Sequence, residues 1–362
     1  MSCCGCASFE TLSGMTAQIV ALPVSDPAPI CLLCGEAGRV LYSDLRDRFW
    51  GVPGAWAIRE CHLCGVIWLD PAPRARETAY LYPNYYTHAG GTRSSLPRSA
   101  WAAVKRCILS AAFGYDMLAR GWRAGLGRLL SHISPLRHLA GAQVAWLRCA
   151  WRGRLLDVGC GSGEFAAMMA ALGWDVVGLE PDVRAARIAR REAGIAVVCS
   201  RLEEAPFAEA SFDVVTLSHV IEHLANPVDA LRTLRRLVRA GGKVVVITPN
   251  AKSLGHRVFR AHWRDLDPPR HLHLLSPQAL AKCAARAGLL VDALFTSPRA
   301  AWRIWAVSRT IQTSGSCPGA DPSATSSRFR IEGLMFQLIE HTADIFRPQV
   351  GEEIVAVCRR IA

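Results

Sequence analysis

The stretch Asp157-Val158-Gly159-Cys160-Gly161-Ser162-Gly163 decides the fold of this chain. The short run at 154–156 leads into it like the end of a buried strand, and 164–172 carries apolar residues at helical spacing. A strand that enters a helix through a glycine-rich turn presents backbone N–H groups and a helix N-terminus to a ligand. The glycines allow close approach because no Cβ intervenes. The carboxylate of residue 157 is placed to accept hydrogen bonds from that ligand.

A second apolar strand, 174–179, is followed directly by Glu180. This acid lies about twenty residues after the turn, where an α/β nucleotide site needs an acceptor for ribose hydroxyls. The sequence therefore predicts a nucleoside-containing cofactor. The dinucleotide fingerprint G-x-G-x-x-G, typical of NAD sites, fits poorly because the third glycine, Gly163, comes one residue early and Asp157 precedes the first.

The turn resembles motif I of the class I S-adenosylmethionine (SAM)-dependent methyltransferases. The resemblance continues in the order expected for that family, through segments that are similar to its fourth and fifth strands and the residues around them: 205–207, 211–215, His219–Leu224, Asn226–Pro227, 237–242 and 243–250. Several ordered matches over about a hundred residues are more specific than any single one of them.

The resemblance implies a Rossmann-like α/β fold, a seven-stranded sheet with helices on both faces, and SAM as cofactor. It also implies the residues that bind SAM. Asp157, Gly159, Gly161 and Gly163 would bind the methionine part, Glu180 the ribose and Leu202 the adenine, while Ser218 would line the cofactor from its other side. Many relatives have an acid where this chain has Arg201, so the adenine contact falls to the backbone and packing of Leu202.

Catalytic candidates follow the fourth strand and the fifth. Transfer to a hydroxyl needs a base, and by position His219 is the first candidate and His271 the second. Glu222 and His223 either act directly or cap the next helix. The sequence His-x-x-Glu-His at 219–223 also matches a zinc-peptidase motif, but its place after a cofactor turn argues against a peptidase. Arg270 is predicted to pair with a phosphate or carboxylate of the acceptor.

Two C-x-x-C-G sequences predict a metal site, with Cys31, Cys34, Cys61 and Cys64 as its ligands. Four thiolates suit tetrahedral zinc in a structural role, because they leave no open coordination position. The alternatives are reduced structural cysteines or one redox pair. Together with the residues that follow, the cysteines resemble a methyltransferase subgroup with an N-terminal zinc ribbon, associated with polysaccharide or secondary biosynthesis.

A basic segment separates the cysteines from the glycine turn. Between 93 and 154 the sequence has ten arginines and one lysine against one acid, Asp116, and it includes Trp101 and Trp122. Helical spacing there allows three interpretations: a cover for the catalytic domain, a helix on an anionic membrane surface, or a nucleic-acid contact, in that order. The apolar content and the fourteen cysteines indicate a large globular protein in a reducing cytoplasm.

The sequence divides into four parts. We expect a flexible tail at 1–30, a zinc ribbon at 31–92, a basic helical linker at 93–152 and the methyltransferase domain at 153–362. A Ser/Gly/Pro-rich stretch at 313–327 predicts a mobile loop. By the resemblance, Glu353–Cys358 forms a last, antiparallel strand.

These observations predict a cytoplasmic SAM-dependent methyltransferase. The expected acceptor is an oxygen or carbon atom of a small or carrier-linked molecule, such as a sugar or glycan precursor. Two alternatives are an RNA methyltransferase that holds nucleic acid with its ribbon and basic helices, and a non-catalytic module that docks on a membrane or a partner.

Overall fold

The computed structural model of this chain describes residues 29–73, 81, 99–346 and 349–361. The predicted tail at 1–30, apart from its last two residues, residues 74–80 and 82–92 of the predicted ribbon, and residues 93–98 of the predicted linker lie outside this part. None of the helices in the described part combines the length and the apolar character that crossing a bilayer requires.

The eleven strands among the described residues are, in chain order, β1 Arg39–Leu45, β2 Trp56–Glu60, β3 Ile67–Asp70, β4 Arg154–Val158, β5 Asp175–Leu179, β6 Ala196–Val198, β7 Phe212–Ser218, β8 Val238–Pro249, β9 His273–Leu274, β10 Leu289–Ser297 and β11 Glu353–Arg360. The ten α-helices in the same part of the chain are α1 Ala100–Phe113, α2 Trp122–Ser131, α3 Ser134–Gly141, α4 Glu164–Ala171, α5 Val183–Ile188, α6 Pro227–Leu237, α7 Leu254–Phe259, α8 Pro277–Arg286, α9 Ala301–Ser314 and α10 Ser327–Phe346.

Seven strands form the main sheet, in the order β10-β11-β8-β7-β4-β5-β6. Strands β4 to β8 pair in parallel, while β11 runs antiparallel to both β8 and β10. This confirms the predicted methyltransferase-type sheet and its antiparallel last strand. The strand order reverses between β4 and β7. In open α/β sheets such a switch point forms a crevice at the carboxyl ends of the strands, where ligands bind.

Helices cover both faces of this sheet. The linker contributes α1, α2 and α3, and buried side chains of this region, among them Ile108, Phe113 and Tyr115, share a core with Val245 of β8 and Val355 of β11. On the other face, α6 and α8 pack on the same strands together with the cysteine-bearing turns. The linker thus packs on the sheet through its apolar side chains.

The N-terminal segment forms a second, four-stranded sheet in the order β1-β2-β3-β9. The last strand of this sheet, β9, belongs to the predicted methyltransferase domain, because it follows β8 of the main sheet in the sequence. Ile67 pairs with Leu274 and Trp68 with His273. The predicted ribbon is therefore continuous, through backbone hydrogen bonds, with the loop that carries the second candidate base.

A buried ion cluster reinforces this junction. The guanidinium of Arg270 binds Asp47 of the ribbon segment, with Nη2–Oδ1 at 2.6 Å and Nη1–Oδ2 at 2.9 Å, and it also binds Asp267. The side chains of Arg270 and Asp47 are both fully inaccessible to solvent. Arg270 therefore holds two segments together, and the acceptor-binding role that the sequence suggests for it is wrong.

The predicted mobile loop at 313–327 contains the end of α9 and two short 3-10 turns, Pro318–Ala320 and Pro322–Ala324. It is hydrogen-bonded to the ribbon segment, because the N–H groups of Cys317 and Gly319 donate to the carbonyls of Arg48 and Phe49.

The substitution Arg270→Met should destabilise the protein strongly, because it leaves two carboxylates without their buried partner. Breaking a buried pair in this way costs ~3–5 kcal/mol. The control Arg232→Met removes an exposed ion pair with Asp229, whose loss costs at most ~1 kcal/mol. Urea unfolding of the two variants measures both changes, and equal effects would contradict the role given to Arg270.

Candidate functional site

The glycine turn lies at the carboxyl end of β4, beside the crevice at the switch point. Gly159, Gly161 and Gly163 all have positive φ, at 69°, 53° and 82°. A Cβ on Gly159 would lie 2.5 Å from a methyl group of Val220, and one on Gly163 would lie 2.9 Å from Ala189. The turn therefore needs glycine for its backbone conformation and for the space around it.

Two acids flank this turn, as the sequence predicts. The carboxylate of Asp157 accepts a hydrogen bond of 2.8 Å from the hydroxyl of Thr216 on β7. Burial raises the pKa of Asp157 to about 7, and the charge of Glu180 acts in the same direction, against the hydrogen bond from Thr216. A cationic group in the crevice would favour its ionised form.

Glu180 follows β5 and supports the turn from the other side. Its Oε2 accepts from the N–H of Gly161 at 2.8 Å, and its Oε1 accepts from the N–H of Asp182 at 2.9 Å. Each carboxylate oxygen has two lone pairs, so these bonds fix the side chain and leave acceptor capacity for hydroxyl groups.

The remaining predicted cofactor residues lie at the same edge of the sheet. Leu202 begins a 3-10 turn after β6 and is buried, while Arg201 before it is exposed. Ser218 is the exposed last residue of β7. The structure therefore brings all seven predicted cofactor residues to the carboxyl edge of neighbouring strands.

His219 adopts a strained conformation directly after β7, with a positive φ of 55°. Its Nε2 lies 3.0 Å from Glu353 Oε1, and its Nδ1 lies 3.4 Å from Glu222 Oε1. Burial opposes the imidazolium, but the interactions with the two carboxylates outweigh it and raise the pKa of His219 to about 10. At neutral pH the ring is therefore charged and has no lone pair for a proton.

Glu222, His223 and His271 form the second cluster at this edge. One ligand atom from each lies within 4.8 Å of the others. The ring of His223 contacts that of His271 at a centroid distance of 4.8 Å. The loop after β8 brings His271 to this place, and the N–H of Leu272 donates to the carbonyl of Glu222. We call these three residues the acceptor trio.

The two histidines of the acceptor trio have the same tautomer in their neutral form. His223 Nδ1 lies 3.0 Å from the carbonyl oxygen of Arg270, and His271 Nδ1 lies 2.6 Å from that of Asp265. A carbonyl accepts only, so both Nδ1 atoms carry the proton and both Nε2 atoms carry the lone pair. Burial, with the charge of His271 acting in the same direction, lowers the pKa of His223 to about 4.

Glu222 completes the acceptor trio with a buried carboxylate. Its Oε2 accepts a hydrogen bond of 3.0 Å from the hydroxyl of Thr248, and its Oε1 has no hydrogen-bond partner of good geometry among the described residues. Desolvation by burial opposes the ionisation of Glu222. The hydrogen bond with His219 and the charges of the nearby histidines outweigh this effect and lower the pKa of Glu222 to about 2.

The structure bears on two alternatives that the sequence offered for this segment. Helix α6 is capped by Asn226, whose side chain accepts from the N–H groups of Val228 and Asp229, so Glu222 and His223 are not its caps. The peptidase interpretation of 219–223 needs both histidines on one metal. Among the described residues, the group that could hold a metal contains His223 and His271 but not His219.

The sequence did not reveal the importance of Glu353. It lies 134 positions from His219 and is buried, and Arg299 donates to its Oε1 at 2.8 Å. The only signal was its position as the first residue of the last strand, at the carboxyl edge of the sheet. Thr216 was also missed, because a threonine inside a strand looks like any other β-branched residue.

The four predicted metal-ligand cysteines converge beside the second sheet. Their sulfurs are 3.5 Å apart for Cys31 and Cys64, 3.2 Å for Cys34 and Cys61, and 3.9 Å for Cys34 and Cys64. Sulfurs that share a tetrahedral zinc with Zn–S bonds of ~2.3 Å lie ~3.8 Å apart. The donor set and its spacing are therefore compatible with zinc.

Comparisons with known proteins show the family of this chain. A family model described as a methyltransferase domain matches residues 127–294. The chain is 32% identical over 194 residues to a ubiquinone biosynthesis O-methyltransferase of Pseudomonas aeruginosa, covering 49% of this chain and 81% of that protein. The chain belongs to the class I SAM-dependent methyltransferases. This methyltransferase therefore has the fold, the cofactor and the reaction type that its glycine turn predicts.

Two further matches are similar. The chain is 33% identical over 179 residues to the ubiquinone biosynthesis O-methyltransferase of Thiobacillus denitrificans, covering 45% of this chain and 77% of that protein. A solved structure of geranyl diphosphate C-methyltransferase from Streptomyces coelicolor is 15% identical, with a TM-score of 0.45, covering 63% of this chain and 79% of that one.

The substitution Gly159→Ala should weaken SAM binding at least tenfold, because its Cβ clashes with Val220 and its φ is positive. Gly194→Ala is the matched control, since Gly194 has a φ of 70° and a Cβ added there would meet nothing within 4 Å. Calorimetric titration with SAM should show wild-type affinity for the control. A similar loss of SAM affinity in both variants would mean that backbone strain alone weakens binding, and that the shape of the glycine turn does not contribute.

Proposed function

We propose that this methyltransferase transfers the methyl group of SAM to an oxygen atom of a small or carrier-linked acceptor. The names of the relatives at 32% and 33% identity support oxygen over carbon. A sugar or glycan precursor and a phenolic molecule are both acceptors with a suitable hydroxyl. The chain needs a group that takes the proton of this hydroxyl as the oxygen attacks.

The acceptor trio is the observation that carries this proposal. Its two imidazole Nε2 lone pairs and one carboxylate oxygen supply proton acceptors beside the cofactor edge. We assign the base to His271, because the carbonyl of Asp265 fixes its Nδ1 proton and because burial, by lowering the pKa of His223 to about 4, makes His223 the weaker base. His219, the first candidate from the sequence, is charged between Glu222 and Glu353 and has a different task. It holds the carboxylate of Glu222 in place.

The reaction is then an in-line displacement. SAM, held by Asp157, Glu180 and the glycine turn, would supply the methyl group to the acceptor oxygen, and its sulfur would keep the electron pair of the broken carbon–sulfur bond as S-adenosylhomocysteine. The hydroxyl proton passes to His271 Nε2. Holding both reactants at one edge of the sheet supplies the proximity that this displacement needs.

The substitution His271→Asn should lower turnover by ~10²–10⁴-fold, the usual contribution of a positioned base, and leave SAM affinity unchanged. His262→Asn is the control, because His262 belongs to the same loop region and not to the acceptor trio. Turnover is measured as S-adenosylhomocysteine formation with a panel of phenolic and sugar-nucleotide acceptors. Full turnover in His271→Asn on an acceptor that the wild type methylates would exclude His271 as the base.

A metal ion is the second candidate for the acceptor trio, because two imidazoles flank Glu222 and its Oε1, 3.4 Å from His219 Nδ1, has no hydrogen bond of good geometry among the described residues. One carboxylate and two imidazoles suit several divalent metals. Such an ion would polarise the acceptor hydroxyl. Metal analysis separates the two assignments. If the protein holds more metal than the cysteine site accounts for, and His271→Asn loses this extra metal while His262→Asn retains it, then His271 is a metal ligand and not the base.

We also propose that the cysteine site binds one structural zinc ion. The Sγ–Sγ distances support this, as does the packing of the site: the hydroxyl of Ser276, which caps α8, donates to the carbonyl of Cys64. Zinc would therefore stabilise the ribbon segment whose strand β3 pairs with β9, next to His271.

The substitution Cys61→Ser should remove about one zinc per chain, lower the thermal stability and reduce turnover more than SAM affinity, because the glycine turn is held by other residues. Cys199→Ser, at an exposed cysteine outside the cluster, should keep the zinc and the turnover. Elemental analysis and thermal unfolding measure both outcomes. Unchanged metal content in Cys61→Ser would rule out the four-cysteine site.

A further inference from the structure

Helix α2 carries a stripe of exposed apolar side chains. Trp122 is 74% exposed, Leu126 38%, Leu129 68%, and Ile133, just after the helix, 47%. These residues are four, three and four positions apart, so they lie on one side of the helix. We call this set the α2 stripe. An apolar stripe on one helix side is normally buried, and its exposure indicates a binding surface.

The opposite side of α2 is fixed against α1. Gly127 is buried in this contact, and a Cβ there would lie 2.0 Å from the carbonyl oxygen of Cys107. The two helices therefore approach more closely than any other residue would allow. The α2 stripe points away from this contact and does not serve the core that α1 and α3 form with the sheet.

Arginines surround the α2 stripe. Arg120, Arg123 and Arg128 are exposed, and none of them forms an ion pair with another residue in the described part of the chain. The guanidinium of Arg123 lies 5.5 Å from the ring centre of Trp122. Between 99 and 154 the sequence has nine basic residues and one acidic residue, Asp116. The surface thus joins an apolar stripe to positive charge that the one acid of its own segment does not balance.

We propose that the α2 stripe and its arginines dock this protein on an anionic phospholipid surface. Trp122, Leu126 and Leu129 enter the boundary between headgroups and acyl chains, with α2 lying in the plane of the interface. The arginines contact lipid phosphates, since their long side chains reach the headgroups from beside an inserted apolar face. Charge complementarity selects this occupant, because a second copy of the same surface would bring like charges together. The proposal does not depend on the identity of the acceptor.

The test is co-sedimentation of the purified full chain with two kinds of vesicle, phosphatidylcholine alone and phosphatidylcholine with a quarter phosphatidylglycerol. We expect binding to the second kind only, and weaker binding as salt is added. Each arginine at an anionic surface contributes about fivefold in affinity, so the triple variant Arg120→Gln, Arg123→Gln, Arg128→Gln should bind about 100-fold more weakly. The control replaces three exposed arginines elsewhere, Arg187, Arg191 and Arg286, with glutamine and should bind like the wild type.

A second pair of variants tests the apolar part of the surface. Leu129 on α2 and Leu338 on α10 are both 68% exposed, so replacing each with serine removes the same apolar exposure from different places. Leu129→Ser should reduce vesicle binding at least threefold and Leu338→Ser should not. Both variants should keep the circular dichroism spectrum of the wild type, because neither side chain is buried.

Several results would overturn the proposal. Equal binding to the two kinds of vesicle would show that lipid charge does not drive the binding. Loss of binding in Leu338→Ser but not in Leu129→Ser would show that α10, and not α2, contacts the vesicle. Dimers in light scattering that Leu129→Ser dissociates, without vesicle binding, assign the α2 stripe to a second copy. Binding of RNA that the arginine triple variant abolishes, again without vesicle binding, assigns the surface to nucleic acid.

Discussion

The arrangement of this methyltransferase depends on one buried guanidinium. Arg270 lies between Asp47 and Asp267 with no solvent access, so its charge is compensated only when the N-terminal segment and the loop after β8 are both in place. A buried charge without its partners is costly, and folding therefore couples the two segments. The loop that Arg270 fixes also carries His271. The packing of the ribbon segment and the geometry of the acceptor trio are consequences of the same contact.

The cofactor side of the crevice is built differently from the acceptor side. Its parts come from neighbouring parallel strands, and they are held by short local bonds such as that from Gly161 to Glu180. The acceptor side joins residues that are far apart in sequence, because Glu353 and the loop of His271 converge on the segment that follows β7. A division of this kind allows a constant cofactor site to serve different acceptors, since the acceptor residues can change without disturbing the glycine turn.

The outer surface carries exposed apolar side chains on both α2 and α10. The linker helices bury apolar side chains against the sheet and present arginines and the α2 stripe outward. Helix α10 also exposes large apolar side chains, such as Leu338 and Ile339. The close contact of Gly127 with α1 keeps α2 in one orientation. The same helical segment can thus cover the sheet and offer an interaction surface, because α1 and α3 form the core with the sheet while α2 packs on α1 and turns its other side outward.

The sequence by itself determined the fold, the place of the predicted cofactor residues at one edge of the sheet and the convergence of the four cysteines. These features depend on local patterns: a glycine turn between a strand and a helix, an acid at the end of the next strand, and paired cysteines in tight turns. Only the tertiary structure places His219 between two carboxylates, buries Arg270 and brings His271 beside Glu222 and His223. The charge of His219 depends on Glu353, and the burial of Arg270 depends on Asp47, 223 residues away in the chain. Such contacts are set by the packing of whole segments, which residue spacing along one chain does not encode.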